Sequence, residues 1–154
     1  MYRHLLVPTD GSDISTENVA RAVQFAREAG ARITFFHASA DYGASGDGAL
    51  MRAVSPELFA ERAKGHARMI VLKAEEVAKT AGVSCRAVIR TSDRPAEAIL
   101  EAAAAEGCDL IFMASRGPKS IAGVMVGSET LKVLCRAPLP VLVSEVAKNV
   151  GSST

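Results

Sequence analysis

Residues 5–38 read LLVPTDGSDISTENVARAVQFAREAGARITFFHA, and this stretch establishes the fold class. A short apolar run from Leu5 to Val7 ends at Pro8. Apolar residues then recur at helical spacing until Gly30, and a second apolar run covers Ile33 to Ala38. A strand, a helix and a second strand in this order form the repeating unit of a parallel α/β sheet.

The rest of the chain continues this alternation. The patterns predict further helices at 55–82, 93–107 and 128–136, and further strands at 83–89, 110–114 and 139–146. Helical spacing places Val77 on the inward face of the first of these helices. Right-handed crossovers between parallel strands then give a three-layer, doubly wound α/β fold with a five-stranded parallel sheet. Two strand orders fit this pattern, 2-1-3-4-5 and 3-2-1-4-5, and we predict the second.

The organisation is that of a single domain. The chain has 154 residues, which is enough for one sizeable core. We place the domain at residues 1–147 and expect residues 148–154 to form a flexible tail. Residues 39–54 contain three glycines and two aspartates with little periodicity, so we interpret them as a loop of functional or mobile character.

The composition argues against several classes of partner. The formal net charge is +1, and only 5% of the residues are aromatic, with no Trp. Neither nucleic acid nor an anionic membrane surface is expected as a partner. The longest apolar runs are too short for a membrane span or a signal peptide. Three widely separated cysteines fit small buried residues rather than a disulfide framework, so we expect a cytoplasmic location.

Two short segments at strand ends carry candidate binding groups. Pro8-Thr9-Asp10 follows the first strand, where the Asp10 carboxylate could accept from an amino or hydroxyl group, or only cap the next helix. The chain leaving the second strand at Ala38 exposes backbone groups that could bind an adenine edge. His37 has no partner cluster in the sequence, and we interpret it as a core or rim residue.

The segment after the fourth strand is the most informative. Residues 113–130 read MASRGPKSIAGVMVGSET and end in Gly-Ser at a predicted helix start. Free N–H groups at a helix amino end attract anions, and Arg116 and Lys119 add positive charge. Hydroxyl donors come from Ser128 and Thr130. The pattern favours a phosphate site over a plain crossover loop with an ordinary cap.

The sequence contains no signature of a catalytic centre. The P-loop pattern, the GxGxxG dinucleotide pattern after the first strand, the GxSxG elbow and the HExxH pattern are all absent from the sequence. We therefore predict no catalytic residues and leave any metal ligands open. Any hydrolysis is expected to be slow, because no positioned general base is evident.

Taken together, these segments resemble the universal stress protein family over nearly the whole chain. The resemblance lies in Leu6 to Ser12, the Phe36-His37 strand end, and the run from Asp109 to Met113. It continues in Gly117, nine residues, Gly127-Ser128, and then Pro140-Val-Leu-Val. Nucleotide-binding members carry Gly-x2-Gly-x9-Gly-[Ser/Thr] at this place. Here Ala114 replaces the first Gly, which adds one methyl group close to the expected ligand.

The resemblance implies a site for an adenine nucleotide, ATP with or without Mg²⁺. By resemblance, Asp10 and the backbone of Ala38 contact adenine or ribose, and Met113 and Ala114 line the sugar. The predicted ligand set in full is Pro8, Thr9, Asp10, Ala38, Met113, Ala114, Arg116, Gly117, Gly127, Ser128, Glu129 and Thr130. The resemblance places the last residues of this set around the phosphates. The negative charge of Glu129 would be unfavourable there unless a Mg²⁺ ion intervenes or the side chain points away.

The resemblance also implies a homodimer through the last strand, from Leu139 to Val146. An unpaired apolar edge strand is prone to associate, which agrees with this expectation. The expected function is a stress-response protein that senses or carries ATP. Two alternatives are a dimeric interaction module with a vestigial site, and an adenine-nucleotide hydrolase. The hydrolase class carries paired glycines after the first strand, and residues 8–12 lack them.

Overall fold

Strands and helices alternate along residues 2–39, 53, 55–115 and 128–146, which are the residues that the computed structural model describes. The strands are β1 (His4–Pro8), β2 (Arg32–Ser39), β3 (Cys85–Thr91), β4 (Leu110–Ser115) and β5 (Val141–Glu145). The helices are α1 (Asp13–Ala29), α2 (Pro56–Thr80), α3 (Pro95–Glu106) and α4 (Ser128–Arg136). The predicted loop after Ser39 and the predicted tail at 148–154 lie almost wholly outside the described residues.

The five strands form one parallel sheet in the order β3-β2-β1-β4-β5. This order confirms the predicted 3-2-1-4-5 arrangement and removes the alternative 2-1-3-4-5. The chain leaves β1 toward one edge of the sheet, then returns across it to build β4 and β5 on the other side. The strand order therefore reverses between β1 and β4, which is where ligands bind in open α/β sheets.

Two apolar layers cover the two faces of the sheet, which confirms the three-layer architecture. On one face Leu5, Val7 and Phe35 pack with α1 and α2. On the other face Leu6 and Phe36 pack with α3 and α4. Consecutive residues of β1 are fully buried because a central parallel strand is covered on both sides.

Two strands begin two residues later than the sequence predicts. β3 begins at Cys85 rather than at Val83, because the N–H of Val83 donates to Ala78 O at the end of α2. β5 covers Val141–Glu145 rather than 139–146. Prolines at 138 and 140 have no N–H to donate to a neighbouring strand, so the ladder starts after them.

The buried face of α2 also differs in part from the prediction. Its buried residues are Ala67, Ile70, Val71, Ala74 and Ala78. Val77, which the sequence pattern placed inward, is 38% exposed. No helix among the described residues has the length and apolar character needed to cross a membrane.

The cysteines are less buried than the sequence suggested. Cys135 is exposed on α4, and Cys85 and Cys108 are half-buried. Burial raises the pKa of the Cys108 thiol to about 11, although a hydrogen bond with the Thr34 side chain acts the other way. This thiol therefore remains protonated at neutral pH.

A carboxylate joins β1 to β4 at the amino edge of the sheet. Asp109 Oδ2 accepts from the N–H of Arg3 at 2.9 Å, and its Oδ1 accepts from the N–H of His4 at 3.0 Å. Burial favours the neutral acid, but these backbone hydrogen bonds outweigh it and hold the pKa of Asp109 below its usual range. The resemblance singled out this aspartate, and the structure gives it a structural function.

His4 is a buried titratable group at the same edge. Its Nε2 lies 2.7 Å from the Thr34 hydroxyl oxygen. Burial is the main cause that lowers the pKa of His4, and the positive charge of Arg32 acts in the same direction. The nearby carboxylates of Asp109 and Glu106 oppose this shift without cancelling it.

We predict that His4 makes the fold less stable in mild acid. The unfolded chain takes up a proton near pH 6.5 and the folded chain only at lower pH, so the free energy of unfolding should fall as the pH drops below about 6.5. Urea unfolding between pH 8 and pH 5 measures this slope. His4→Gln should flatten it, and the same change at exposed His66 should not. Asp109 affects stability only in the separate window below about pH 3.8. An unchanged slope in His4→Gln would contradict the assignment.

Arg21 connects α1 to the far edge of the sheet. Its Nη1 donates to the hydroxyl oxygen of Ser144 at 3.0 Å and to the carbonyl oxygen of Glu145 at 2.8 Å. Glu17, one turn earlier on α1, lies 3.5 Å from Nε of the same guanidinium. The last residues of β5 are thus held by the helix that follows β1.

Candidate functional site

The ladder between the two central strands stops before either strand ends. Paired residues of β1 and β4 are Leu5 with Leu110 and Leu6 with Ile111. β1 nevertheless stays paired with β2 as far as Pro8, and β4 stays paired with β5 as far as Ser115. A break in the ladder therefore lies at the carboxyl edge, at the point where the strand order reverses.

Pro8 accounts for this break. The N–H of Thr9 donates to Phe36 O in β2 at 2.8 Å, so the preceding residue of β1 directs its backbone toward β4. Proline has no N–H to donate there. The carbonyl of Phe112 in β4 instead accepts from the side-chain amide of Asn18, a buried residue of α1, at 3.2 Å.

A second β4 carbonyl at the break also bonds to a side chain. Ala114 O accepts from the hydroxyl of Thr130 at 3.2 Å. Thr130 is the third residue of α4 and is buried. Side chains of α1 and α4 thus take the place of β1 along this part of β4, which brings the amino ends of both helices to the break.

The loop from β1 into α1 is organised around Asp10. Its Oδ1 accepts from the N–H of Ser12 at 2.9 Å and from the hydroxyl of Ser15 at 2.8 Å. Ser12 is the N-cap of α1, and its hydroxyl oxygen accepts from the N–H of Ser15 at 3.2 Å. Asp10 is exposed, and no hydrogen bond within the described residues engages its Oδ2. The helix-cap and ligand interpretations of Asp10 are therefore compatible.

Asp10 remains a carboxylate at neutral pH. Partial burial of the carboxyl group acts to raise its pKa. Hydrogen bonds from the side chain and backbone of Ser12 and from Ser15 lower the pKa by more than burial raises it, so the net shift is downward. The site therefore presents a fixed negative acceptor, suited to the hydroxyl and amino donors of a ligand.

Gly11 allows this loop to pass close to α2. Its φ is +81°, a conformation that residues with a side chain rarely adopt. A Cβ atom at this position would lie 3.0 Å from Cγ1 of Ile70. The loop is thus limited both by its own backbone conformation and by a buried residue of another helix.

We predict that Gly11→Ala destabilises the protein more than Gly30→Ala does. Gly30 also has a positive φ, of +68°, but no atom lies within 4 Å of where its Cβ would be. Gly30→Ala should cost roughly 1–2 kcal/mol from the backbone alone. Gly11→Ala should cost about 1–3 kcal/mol more because of the contact. Chemical denaturation of both variants measures the difference, and equal losses would show that the contact with Ile70 is harmless.

His37 ties the end of β2 to the same loop. Its Nδ1 donates to Thr9 O at 2.9 Å, since a carbonyl oxygen can only accept. The residue is 3% exposed, and its buried Nε2 has no hydrogen-bond partner in the part of the chain that the structure describes. The sequence showed a histidine at a strand end, but not this bond, because Thr9 is distant along the chain.

Glu129 points toward α3. Its Oε2 accepts from the N–H of Ala96 at 3.1 Å, and its Oε1 lies 3.2 Å from Nζ of Lys132. Ser128, the first residue of α4, is exposed. The side chain of Glu129 is therefore occupied by protein groups, which is one of the two arrangements that would allow a phosphate nearby.

Comparison with known proteins agrees with this geometry. Residues 1–145 match the model of the universal stress protein family. The chain belongs to this family. A universal stress protein of Thermus aquaticus is 37% identical over 145 residues, which cover 92% of this chain and 98% of that protein.

Solved universal stress proteins share the fold. UspA from Lactobacillus plantarum superposes with a TM-score of 0.70 at 27% identity, covering 92% of this chain and 97% of that one. A universal stress protein solved in complex with cAMP superposes with a TM-score of 0.63 at 26% identity, covering 94% and 97%. The α/β architecture with strand order 3-2-1-4-5 is therefore established for the chain, both by its own structure and by its similarity to these proteins.

The structure brings part of the predicted universal stress protein site together. Pro8, Thr9 and Asp10 are linked to the end of β2 through Thr9, one residue from half-buried Ala38. Ala114 is linked to Thr130 on α4. The predicted site residues outside the described part of the chain are Arg116, Gly117 and Gly127.

Two further features bear on the expected ligand and metal. Met113, which the resemblance places beside the sugar, is buried in the layer formed with α3 and α4. The described residues contain no group of three or more His, Cys, Asp or Glu side chains that could hold a metal ion.

Proposed function

We propose that this universal stress protein binds an adenine nucleotide, ATP with or without Mg²⁺, at the break between β1 and β4. The observation that carries the proposal is the early end of the β1–β4 ladder at the reversal of strand order. The amino end of α1 and the first turn of α4 both reach this break, and helix amino ends favour anionic groups.

The residues at the break have the chemistry that such a ligand needs. Asp10 offers a carboxylate oxygen to ribose hydroxyls or to the adenine amino group. Ser128 adds an exposed hydroxyl at the start of α4. The cAMP complex of a relative supports this ligand class, since that protein is 26% identical to this chain over nearly its whole length.

We predict that Asp10→Ala weakens ATP binding by about tenfold, because a charge-assisted hydrogen bond to the ligand is lost. Isothermal titration calorimetry with ATP, with and without Mg²⁺, measures the effect. Asp13→Ala is the matched control, since Asp13 is an exposed acid in the first turn of α1, three residues after Asp10. Asp10→Asn should lie between Asp10→Ala and the wild-type protein, because its amide oxygen still accepts from Ser12 and Ser15.

The outcomes separate the candidate functions. Nucleotide released from freshly purified protein and identified by mass spectrometry would give direct support. Equal losses in the variants of Asp10 and Asp13 would move the ligand away from Asp10. An absence of binding heat for ATP, AMP and cAMP, with no released nucleotide, would refute the proposal and favour the dimeric interaction module.

The proposal includes a homodimer through β5. Pro140 O and Val146 N form hydrogen bonds with β4. Because successive residues of a strand direct their backbone groups to opposite sides, the backbone groups of Val141 and Val143 face the open edge of the sheet. Val141, Leu142 and Val143 are half-buried in the single chain. A second copy of β5 could use both the unpaired backbone groups and the apolar side chains.

We predict that Val143→Pro dissociates the dimer without unfolding the chain. The N–H of Val143 faces the open edge and donates no hydrogen bond to β4, and proline is tolerated at such edge positions. Sedimentation in the presence of reductant should show two chains for the wild-type protein and one for the variant. Val143→Ala is the control that keeps the N–H. A folded Val143→Pro protein that remains dimeric would place the interface elsewhere, and Val143→Asp provides a second test.

The proposed role is that of a cytoplasmic sensor or carrier of ATP. The three free cysteines fit a reducing compartment. Catalysis is not part of the proposal, because the sequence contains no signature of a catalytic centre.

A further inference from the structure

The first turn of α4 carries a carboxylate that caps a different helix. Glu129 Oε2 accepts from the N–H of Ala96, the second residue of α3, at 3.1 Å. Arg94, at the N-cap position of α3, makes no side-chain hydrogen bond to that helix. Pro95 has no N–H. Glu129 therefore supplies the acceptor that an N-cap residue supplies in most helices.

The neighbouring residue ties the same turn in another direction. The hydroxyl of Thr130 donates to Ala114 O in β4, while Glu129 bonds to α3. Two successive side chains thus fix the amino end of α4 against two different elements. A third contact, between Arg136 and Glu97 at 3.5 Å, holds the other end of α4 to α3.

Both oxygens of Glu129 are engaged by protein groups. Oε2 bonds to Ala96, and Oε1 lies 3.2 Å from Nζ of Lys132. A carboxylate free to face a phosphate would repel it, whereas the carboxylate of Glu129 is held at the start of α3. The contact therefore affects both the position and the electrostatics of α4.

We propose that Glu129 is a positioning residue for the adenine nucleotide, which holds the amino end of α4 in place through α3 and does not touch the ligand. This inference rests on the proposed function. It assigns the binding contribution of Glu129 to its hydrogen bond with Ala96 rather than to its charge.

Two variants test this assignment. Glu129→Ala removes the acceptor and should weaken ATP binding roughly five- to tenfold, the factor that corresponds to the free energy a helix cap contributes to stability. Glu129→Gln keeps an oxygen that can accept from Ala96 and should bind ATP as the wild-type protein does. Calorimetry with ATP, with and without Mg²⁺, measures both. Glu101→Ala, which removes an exposed acid from α3, is the control and should have no effect.

The results discriminate between positioning and direct ligation. Rescue by Glu129→Gln, with or without Mg²⁺, supports positioning. A loss in Glu129→Gln as large as in Glu129→Ala would overturn the proposal, because the charge itself would then be needed. Unchanged binding in Glu129→Ala would overturn it as well.

Amide hydrogen exchange distinguishes this inference from the proposed function. The Ala96 amide should exchange faster in Glu129→Ala than in the wild-type protein and in Glu129→Gln. Unchanged exchange would show that the contact does not hold α3 and α4 together, and would overturn the inference whatever the nucleotide result. If the wild-type protein binds no ATP, AMP or cAMP, the proposed function is refuted. The role of Glu129 in positioning a ligand site is then refuted as well.

Discussion

The centre of the sheet is shaped by a hydrogen bond that Pro8 cannot make. Its backbone nitrogen lies on the β4 side of β1, where any other residue would donate to the neighbouring strand. The Phe112 carbonyl is satisfied by Asn18 instead, and the Ala114 carbonyl by Thr130. Buried carbonyls need such partners, and side chains of α1 and α4 supply them at this edge of the sheet.

Aspartates organise both edges of the sheet by the same chemistry. Asp109 accepts from two backbone N–H groups where β1 and β4 begin, and Asp10 accepts from a backbone N–H and a hydroxyl where β1 ends. Both side chains have lowered pKa values because their hydrogen bonds outweigh burial. The partners of Asp109 fill both of its oxygens, whereas Asp10 keeps one oxygen outside its local network. Only the second aspartate is therefore available to a ligand.

The sequence predicted the features that depend on local periodicity and family resemblance. The helix at 128–136 and the buried strand β4 follow from apolar spacing. The chirality of crossovers left two strand orders, of which the structure confirms 3-2-1-4-5. The partners of Glu129 and His37 could not be predicted, because each bond joins elements whose packing angle no local pattern specifies. The start of β5 was placed two residues early since apolar Leu139 outweighed the flanking prolines. Val77 was placed inward because helical spacing alone does not show how wide the buried stripe is.

Helix α1 has an end at the candidate site and a side chain on the outermost strand. Asp10, Ser12 and Ser15 surround its first turn, and Arg21 donates to the last residues of β5. About 12 Å of helix separates the start of α1 from Arg21. One helix therefore bridges the loop after β1 and the outermost strand, on either side of the point where the β1–β4 ladder ends.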